Sequence, residues 1–468
     1  MGIWVSANSS QELESLKLVA QDVINQYSPQ IPFLQEATLD DLLYLNKTEF
    51  LGVYYTFLYE VISGLISKVG LAKITKPLLL DLVTIRIVEP ASKVRSIELL
   101  KTYFGIKHRR QSYYDSAPKW LSLKQEIEGI VVGFAKSNYA FDFDLLFYDV
   151  TTLYFEAFQE DDLRKPGFSK DNKSQQPQIL VALMVTREGF PIAYNVFSDN
   201  TFEEHTIIPV VDTFIKRHAV KEFTVVADAA MLSTTNIRDL LANQINYIVG
   251  ARLGNASNDL IKKIDRSMSR TDGESIRIQT DNGFLICTYS SVRYRKDKYE
   301  MEKQIQKAQA VIKTPSKGKR VKFIKTTGEH PVLNQALIEK SKKLLGIKGY
   351  YTNLTENIAS NKTVIERYHQ LYKVEQAFRT SKHDLKTRPV FHFKQDLINL
   401  HVLICFMALI VSKHIELTTG DSIRTFLTEC KKIIDARMLN KITGQEKIIR
   451  TKYTDQVLQY LKALDLSH

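Results

Sequence analysis

The sequence predicts an α/β fold: a mixed-sheet core interrupted by a partly β insertion, with helical N- and C-terminal regions. Three observations predict it. Residues 11 to about 140 carry apolar side chains at helical spacing. From Phe143 the period changes, and strand-like runs alternate with helical ones in the order β-β-β-α-β-α-β. Past residue 251 a charged, turn-rich stretch breaks that order before helical spacing resumes. The boundaries that follow are 1–140 (helical), 141–251 (core, first part), 252–354 (β-rich insertion), 355–415 (core, second part) and 416–468 (helical).

Each element has its local cause. Pro77 to Val88 and Ser92 to Phe104 read as helices separated by Pro90. After Gly105 come Lys107, His108, Arg109 and Arg110, then a helical stretch from Gln111 to Leu121 with Tyr113, Tyr114 and Trp120. Helix, basic turn and aromatic helix suit a helix-turn-helix on DNA, and equally an ordinary helical hairpin. Leu145–Phe155, Ile179–Val185 and Pro191–Phe197 are strand-like, the last two joined at Glu188-Gly189. Glu203–His218 and Thr234–Ala242 are helical, and Phe223–Ala227 and Ile245–Val249 are strands. This is the order of an RNase H-like core, whose mixed sheet gathers acidic residues at its strand ends. In the insertion, Ile276–Gln279 and Phe284–Tyr289 form a hairpin turning at Asp281-Asn282-Gly283. A charged helix follows from Tyr294 to Ile312, then a basic segment holding Lys319 and Arg320, and Gly349–Leu354 returns as a strand. Ser360 to about Leu385 reads as one long helix ending before Arg388-Pro389. Leu397–Val411 is largely apolar and packs on the sheet.

Composition narrows the function. Hydrophobic residues make up 44% and charged residues 25% of 468 residues, which is globular rather than disordered. The formal net charge of +12 favours a polyanionic partner, since cations set against phosphates release counterions; a solvated basic surface is the bland alternative. Cys287, Cys405 and Cys430 are far apart, which fits a reducing compartment and excludes a disulfide framework. No HExxH or Cys/His cluster points to zinc. The longest apolar run, Leu400 to Val411, is too short to span a bilayer, and no membrane partner is expected.

Three carboxylates stand out. Asp149 sits inside an apolar strand, where an unpaired charge is costly, and Asp228 ends the strand Val225-Val226-Ala227. Two acids on two core strands invite a shared metal site, and oxygen-rich ligation suits Mg²⁺ or Mn²⁺. Taken singly, each Asp is better explained by a turn cap or a pairing with a Lys. The third is Glu375: Tyr368, Glu375 and Lys382 are seven apart and share one helix face, with Arg379 one turn beyond Glu375. An ordinary Glu375–Arg379 pair on a solvated face is the competing reading.

The segments Phe147–Thr152, Gly167–Asp171, Val226–Met231 and Tyr368–Lys382 together resemble insertion-sequence transposases of the DDE class. The closest branch has a β-rich insertion before the catalytic Glu and a Tyr/Arg/Glu/Lys signature around it. Arg293–Asp297 and Arg388–His392 resemble segments of the same branch, and the likeness runs from roughly Pro90 to Val411. It implies that Asp149, Asp228 and Glu375 are the catalytic, metal-binding triad, holding two Mg²⁺ or Mn²⁺ ions. It implies DNA contacts from Tyr368, Arg379 and Lys382, and the basic segments add Arg109, Arg110, Lys319 and Arg320. The signature's Arg position, three after Tyr368, holds Leu371, and Arg379 is the candidate to replace it.

The activity implied is metal-dependent cleavage at element ends and strand transfer into target DNA, by a homodimer assembled on double-stranded DNA. The setting implied is the bacterial cytoplasm, at the nucleoid. Two other readings use the same residues: an RNase H-like nuclease without strand transfer, and a repurposed transposase that only binds DNA.

Overall fold

The computed structural model describes residues 9–27, 47–74, 76–155, 161, 163–166, 176–198, 206–220, 223–231, 233–313, 321–327 and 330–466. Strand β1 (Thr48–Tyr54) belongs to a small sheet near the C-terminal region. β2 (Leu145–Tyr154) is the centre of the large sheet, because its apolar residues are covered on both faces. The two-residue β3 (Lys165–Pro166) and β5 (Pro191–Ser198) both pair with β4 (Pro177–Thr186), which is buried at every position and runs antiparallel to β2. On the other side β6 (Thr224–Ala227) runs parallel to β2, and β7 (Asn246–Ala251) parallel to β6. The parallel steps need crossovers, supplied by helices Ile207–His218 and Thr234–Ala242. The strand order β5-β4-β2-β6-β7 and the chain order β-β-β-α-β-α-β are those of the RNase H-like core.

The insertion continues this sheet. β8 (Ser275–Thr280) and β9 (Gly283–Tyr289) form the hairpin at Asp281-Asn282, with Gly283 at φ +81°. The hairpin β10 (Ile324–Thr327) and β11 (His330–Leu333) stands apart, and β12 (Ile347–Thr352) returns to pair with both β9 and β7. Gly349 lies opposite Ala251, so nine strands make one sheet. Ala308 on the helix Ser291–Lys313 joins Phe323 and Ile338 in a small separate core around the β10–β11 hairpin.

Helix Gln395–Thr419 closes the other layer. It is long and apolar enough to cross a membrane, yet 94% of its most apolar window is buried, between β5 and the helices Pro77–Val88 and Arg110–Leu121. The C-terminal region is helical except for β13 (Asp435–Asn440) and β14 (Glu446–Arg450), which add to β1. The turn between them has Gly444 at φ +71°, a left-handed position that favours glycine.

The expected single helix from Ser360 to Leu385 is corrected by the structure. It is three pieces: Asn361–His369, Tyr372–Arg379 and a π turn at Thr380–Asp384. Between the first two, Leu371 N–H bonds Tyr368 and Lys373 N–H bonds Gln370, the three-residue spacing of a tightened turn. That tightening turns Leu371 and Val374 into the core.

Candidate active site

Asp149 and Asp228 are brought together by strand register. In the parallel pair β2–β6, Tyr148 lies opposite Ala227, so the next residues, Asp149 and Asp228, sit at one level of neighbouring strands. Such strands are about 4.8 Å apart. Each carboxylate accepts the next residue's amide on Oδ1: Val150 N–H at 2.8 Å for Asp149 and Ala229 N–H at 2.7 Å for Asp228. Asp149 is half-buried and Asp228 exposed.

Tyr368 holds Asp228 a second time. Its hydroxyl donates to Asp228 Oδ1 at 3.1 Å, and burial followed by the Asp228 charge pushes the phenol's pKa far up, so it remains a donor. The phenol fits because β7 carries Gly250: a Cβ there would lie 2.5 Å from the Tyr368 hydroxyl. Sequence reasoning singles out Tyr368 and misses Gly250, whose role depends on a neighbour 118 positions on.

Lys348 is the other residue missed. On β12 its ammonium lies 4.7 Å from the centre of the Tyr368 ring and 5.4 Å from that of Tyr350. Burial and then Arg293 lower its pKa, while Asp228 and Glu375 raise it, so the lysine feels both carboxylates. Its only sequence signal is a cation between the buried residues Ile347 and Gly349.

Glu375 projects from the exposed face of helix Tyr372–Arg379, whose Val374, Ala377 and Phe378 are buried where the helix packs on β2 and β4. Its charge reaches both Lys348 and Tyr368. No ion pair joins Glu375 to Arg379 among the described residues, although both are exposed, so the simple i,i+4 pair is absent. Lys382 is half-buried and shares a cavity of about 30 Å³ with Thr151, which lies two residues beyond Asp149 on β2. Leu371, at the signature's Arg position, is 5% exposed and packs in the core.

Beside Asp228 opens a cleft of roughly 450 Å³. Gly250, Lys348 and Tyr368 line its sheet side, and Arg293, Glu300 and Lys322 its insertion side; Arg379 does not line it. Of the three carboxylates Asp228 alone lines the cleft, where Arg293, Lys322 and Lys348 stand with the acids Asp297 and Glu300 around a space wide enough for a phosphodiester. Among the described residues, no three His, Cys, Asp or Glu side chains are gathered closely enough to hold a metal ion. The two aspartates are adjacent, and Glu375 is tied to them through Lys348 and Tyr368 rather than by direct approach.

The remaining candidates are scattered. Arg109 and Arg110 are exposed, and Arg110 lies over the Tyr114 ring at 5.8 Å. The aromatic face of helix Arg110–Leu121 is turned inward, with Tyr113 at 0% and Trp120 at 4% exposure, so arginines rather than aromatics meet solvent there. His108 is held by Asp81 at 2.6 Å. Lys319, Arg320 and the Gly167–Asp171 motif lie outside the described residues.

Against known proteins, the profile of the family described as Transposase DDE domain matches residues 141–411. Among solved structures, the chain is similar to one described as the cryo-EM structure of a piggyBac transposase synaptic complex with hairpin DNA. The identity is 11% and the TM-score 0.40, over 88% of this chain and 74% of that one. No curated protein matches.

Proposed function

The chain belongs to the transposase DDE domain family, and from that membership we propose that it cuts DNA at the ends of a mobile element and joins them to target DNA. The observation that carries the proposal is that Asp149 and Asp228 lie at one level of adjacent parallel strands, with Asp228 opening on a cleft that also holds Arg293, Lys322 and Lys348. Asp149, Asp228 and Glu375 are the residues that would hold metal. The donor set is all carboxylate oxygen, which fits Mg²⁺ or Mn²⁺ and not zinc. Two such ions supply Lewis acidity at phosphorus and a nucleophile at neutral pH.

The chain's own residues do the rest. Tyr368 and the Ala229 amide both donate to Asp228 Oδ1, which fixes the carboxylate's orientation. The Val150 amide does the same for Asp149. Lys348 and Arg293 place positive charge in the cleft, where it meets the phosphodiester's non-bridging oxygens. In the first step the oxygen of water bonds to phosphorus, and the bond to the element's 3′ oxygen breaks. In the second step that 3′-hydroxyl attacks a target phosphodiester and displaces a target 3′ oxygen. No protein–DNA bond forms in either step. Double-stranded DNA is the partner, and a dimer holds two ends together.

The test is cleavage of a duplex carrying an element end in Mg²⁺, with Asp149→Asn, Asp228→Asn and Glu375→Gln. Loss of several kcal/mol of metal-assisted stabilisation predicts a fall of roughly a thousandfold for each. A variant cutting at the native rate removes that residue from the metal site. Cleavage that never yields joined products makes the protein a nuclease.

A further inference from the structure

A second cationic site lies away from the three carboxylates. Helices Pro77–Val88 and Lys93–Phe104 meet the segment 386–392 around a pocket of roughly 280 Å³. Four cations line it, Arg86, Lys93, Lys386 and Arg388, together with His392 and His401, and among the described residues no carboxylate does. Two of these cations are buried: Arg86 is 3% exposed and Lys93 4%. Among the described residues, the Lys93 ammonium makes no hydrogen bond or ion pair. Arg86 donates to the Ala91 carbonyl at 2.7 Å and, more weakly, to the Leu385 carbonyl at 3.5 Å, and its Nε has no partner at all. The nearest acids along the chain are engaged elsewhere, Glu89 with Lys431 and Asp384 with Arg424.

Burial first, and then the neighbouring Arg86 charge, hold the Lys93 pKa well below that of a free lysine, and an anion joining the two groups relieves that cost and restores the ammonium. The backbone favours one too. Ala91, Ser92, Lys93 and Val94 line the pocket at the start of a twelve-residue helix; the Ser92 hydroxyl caps the Arg95 amide, and the Lys93 and Val94 amides and the helix dipole are left to attract negative charge. The site is well separated from the carboxylates. Val390 N–H bonds the Tyr154 carbonyl at 3.1 Å, at the end of β2, five residues beyond Asp149. That is about 17 Å along a strand, or roughly five nucleotide steps of duplex rise.

We propose that this pocket is a phosphate-binding site that receives a backbone phosphodiester of bound DNA. Its buried Lys93 and Arg86 hold the phosphate oxygens, while Lys386 at the rim guides the strand inward. The phosphate chemistry stands on the pocket alone; its DNA source rests on the proposed function.

Two measurements on the full chain, both without divalent metal, test it. The first is thermal unfolding with inorganic phosphate titrated at constant ionic strength. Phosphate raises the midpoint of the native protein and not that of Lys93→Met, whereas equal rises overturn the site. The second is duplex DNA affinity as a function of salt. Losing one phosphate contact lowers the slope of log affinity on log salt by about 0.9. A lost phosphate response with an unchanged slope overturns the DNA assignment and gives the pocket to a free phosphate. Should Lys93→Met not fold, the exposed Lys386→Gln takes its place: a smaller phosphate response and a lower slope support the site, and native values of both overturn it. Neither readout involves cleavage, so a protein that never cuts DNA leaves this pocket standing.

Discussion

Lys348 shows how one side chain balances an acidic site. Its ammonium feels Asp228 and Glu375 at once and lies over the Tyr368 ring, which itself hydrogen-bonds Asp228. A cation so placed offsets carboxylate repulsion and competes with any divalent ion the carboxylates bind. Unit charges ~7 Å apart interact by about 2 kcal/mol at an effective dielectric constant of ~20, and solvent in this half-open cleft reduces that to roughly 1 kcal/mol. Lys348→Met should therefore tighten Mn²⁺ binding about fivefold in calorimetry without DNA; unchanged affinity would remove Lys348 from the site's electrostatics. The two aspartates are legible in the sequence because a carboxylate inside an apolar strand, or at its end, stands out from its neighbours. Lys348 and Gly250 are not legible. Their roles arise only when β12 and β7 pair and bring residues distant in the chain around one phenol. Leu371, where the resemblance expects an arginine, is buried at the tightened turn.

At the scale of elements, legibility follows local punctuation. Pro77 opens a helix and Ser233 caps another, its hydroxyl accepting the Asn236 amide, and both helices begin where those residues place them. The break at Gln370-Leu371 has no proline or glycine to announce it, so periodicity alone runs the helix through. The hairpin at Gly283 is announced by Asn-Gly, but its place in the larger sheet is not. A Cβ on Gly283 would lie 2.5 Å from the Thr352 carbonyl oxygen and 3.0 Å from the Tyr247 hydroxyl, at a backbone φ of +81°. Those two neighbours belong to β12 and β7. Gly283→Ala therefore strains the junction between insertion and core, at a cost of about 2–3 kcal/mol. Urea unfolding should shift as a single transition to lower concentration. A separate early transition for the insertion would show that β8, β9 and β12 do not share the core's cooperativity.

The whole molecule is joined by the buried helix Gln395–Thr419, and that helix carries a pH liability. His414 on it is 5% exposed, accepts or donates at Nδ1 with the Tyr139 hydroxyl at 2.8 Å, and meets the edge of Phe134. Its Nε2 is buried without a partner. Burial first, and then the charge of Lys68, lower its pKa to about 4. In the unfolded chain the same imidazole titrates near 6.5, so between these values the unfolded state holds more protons than the folded one. Stability is therefore full above pH 6.5 and falls as acid is added. From pH 6.5 to 5, above the range where most carboxylates titrate, this histidine alone removes roughly 2 kcal/mol. His414→Leu loses the Tyr139 contact and is less stable at pH 7, yet it lacks the titrating group. Its stability should change less between pH 7 and pH 5 than that of the native protein. Parallel pH profiles for the two proteins would mean that His414 takes up its proton without unfolding the helix that links the N-terminal region to the large sheet.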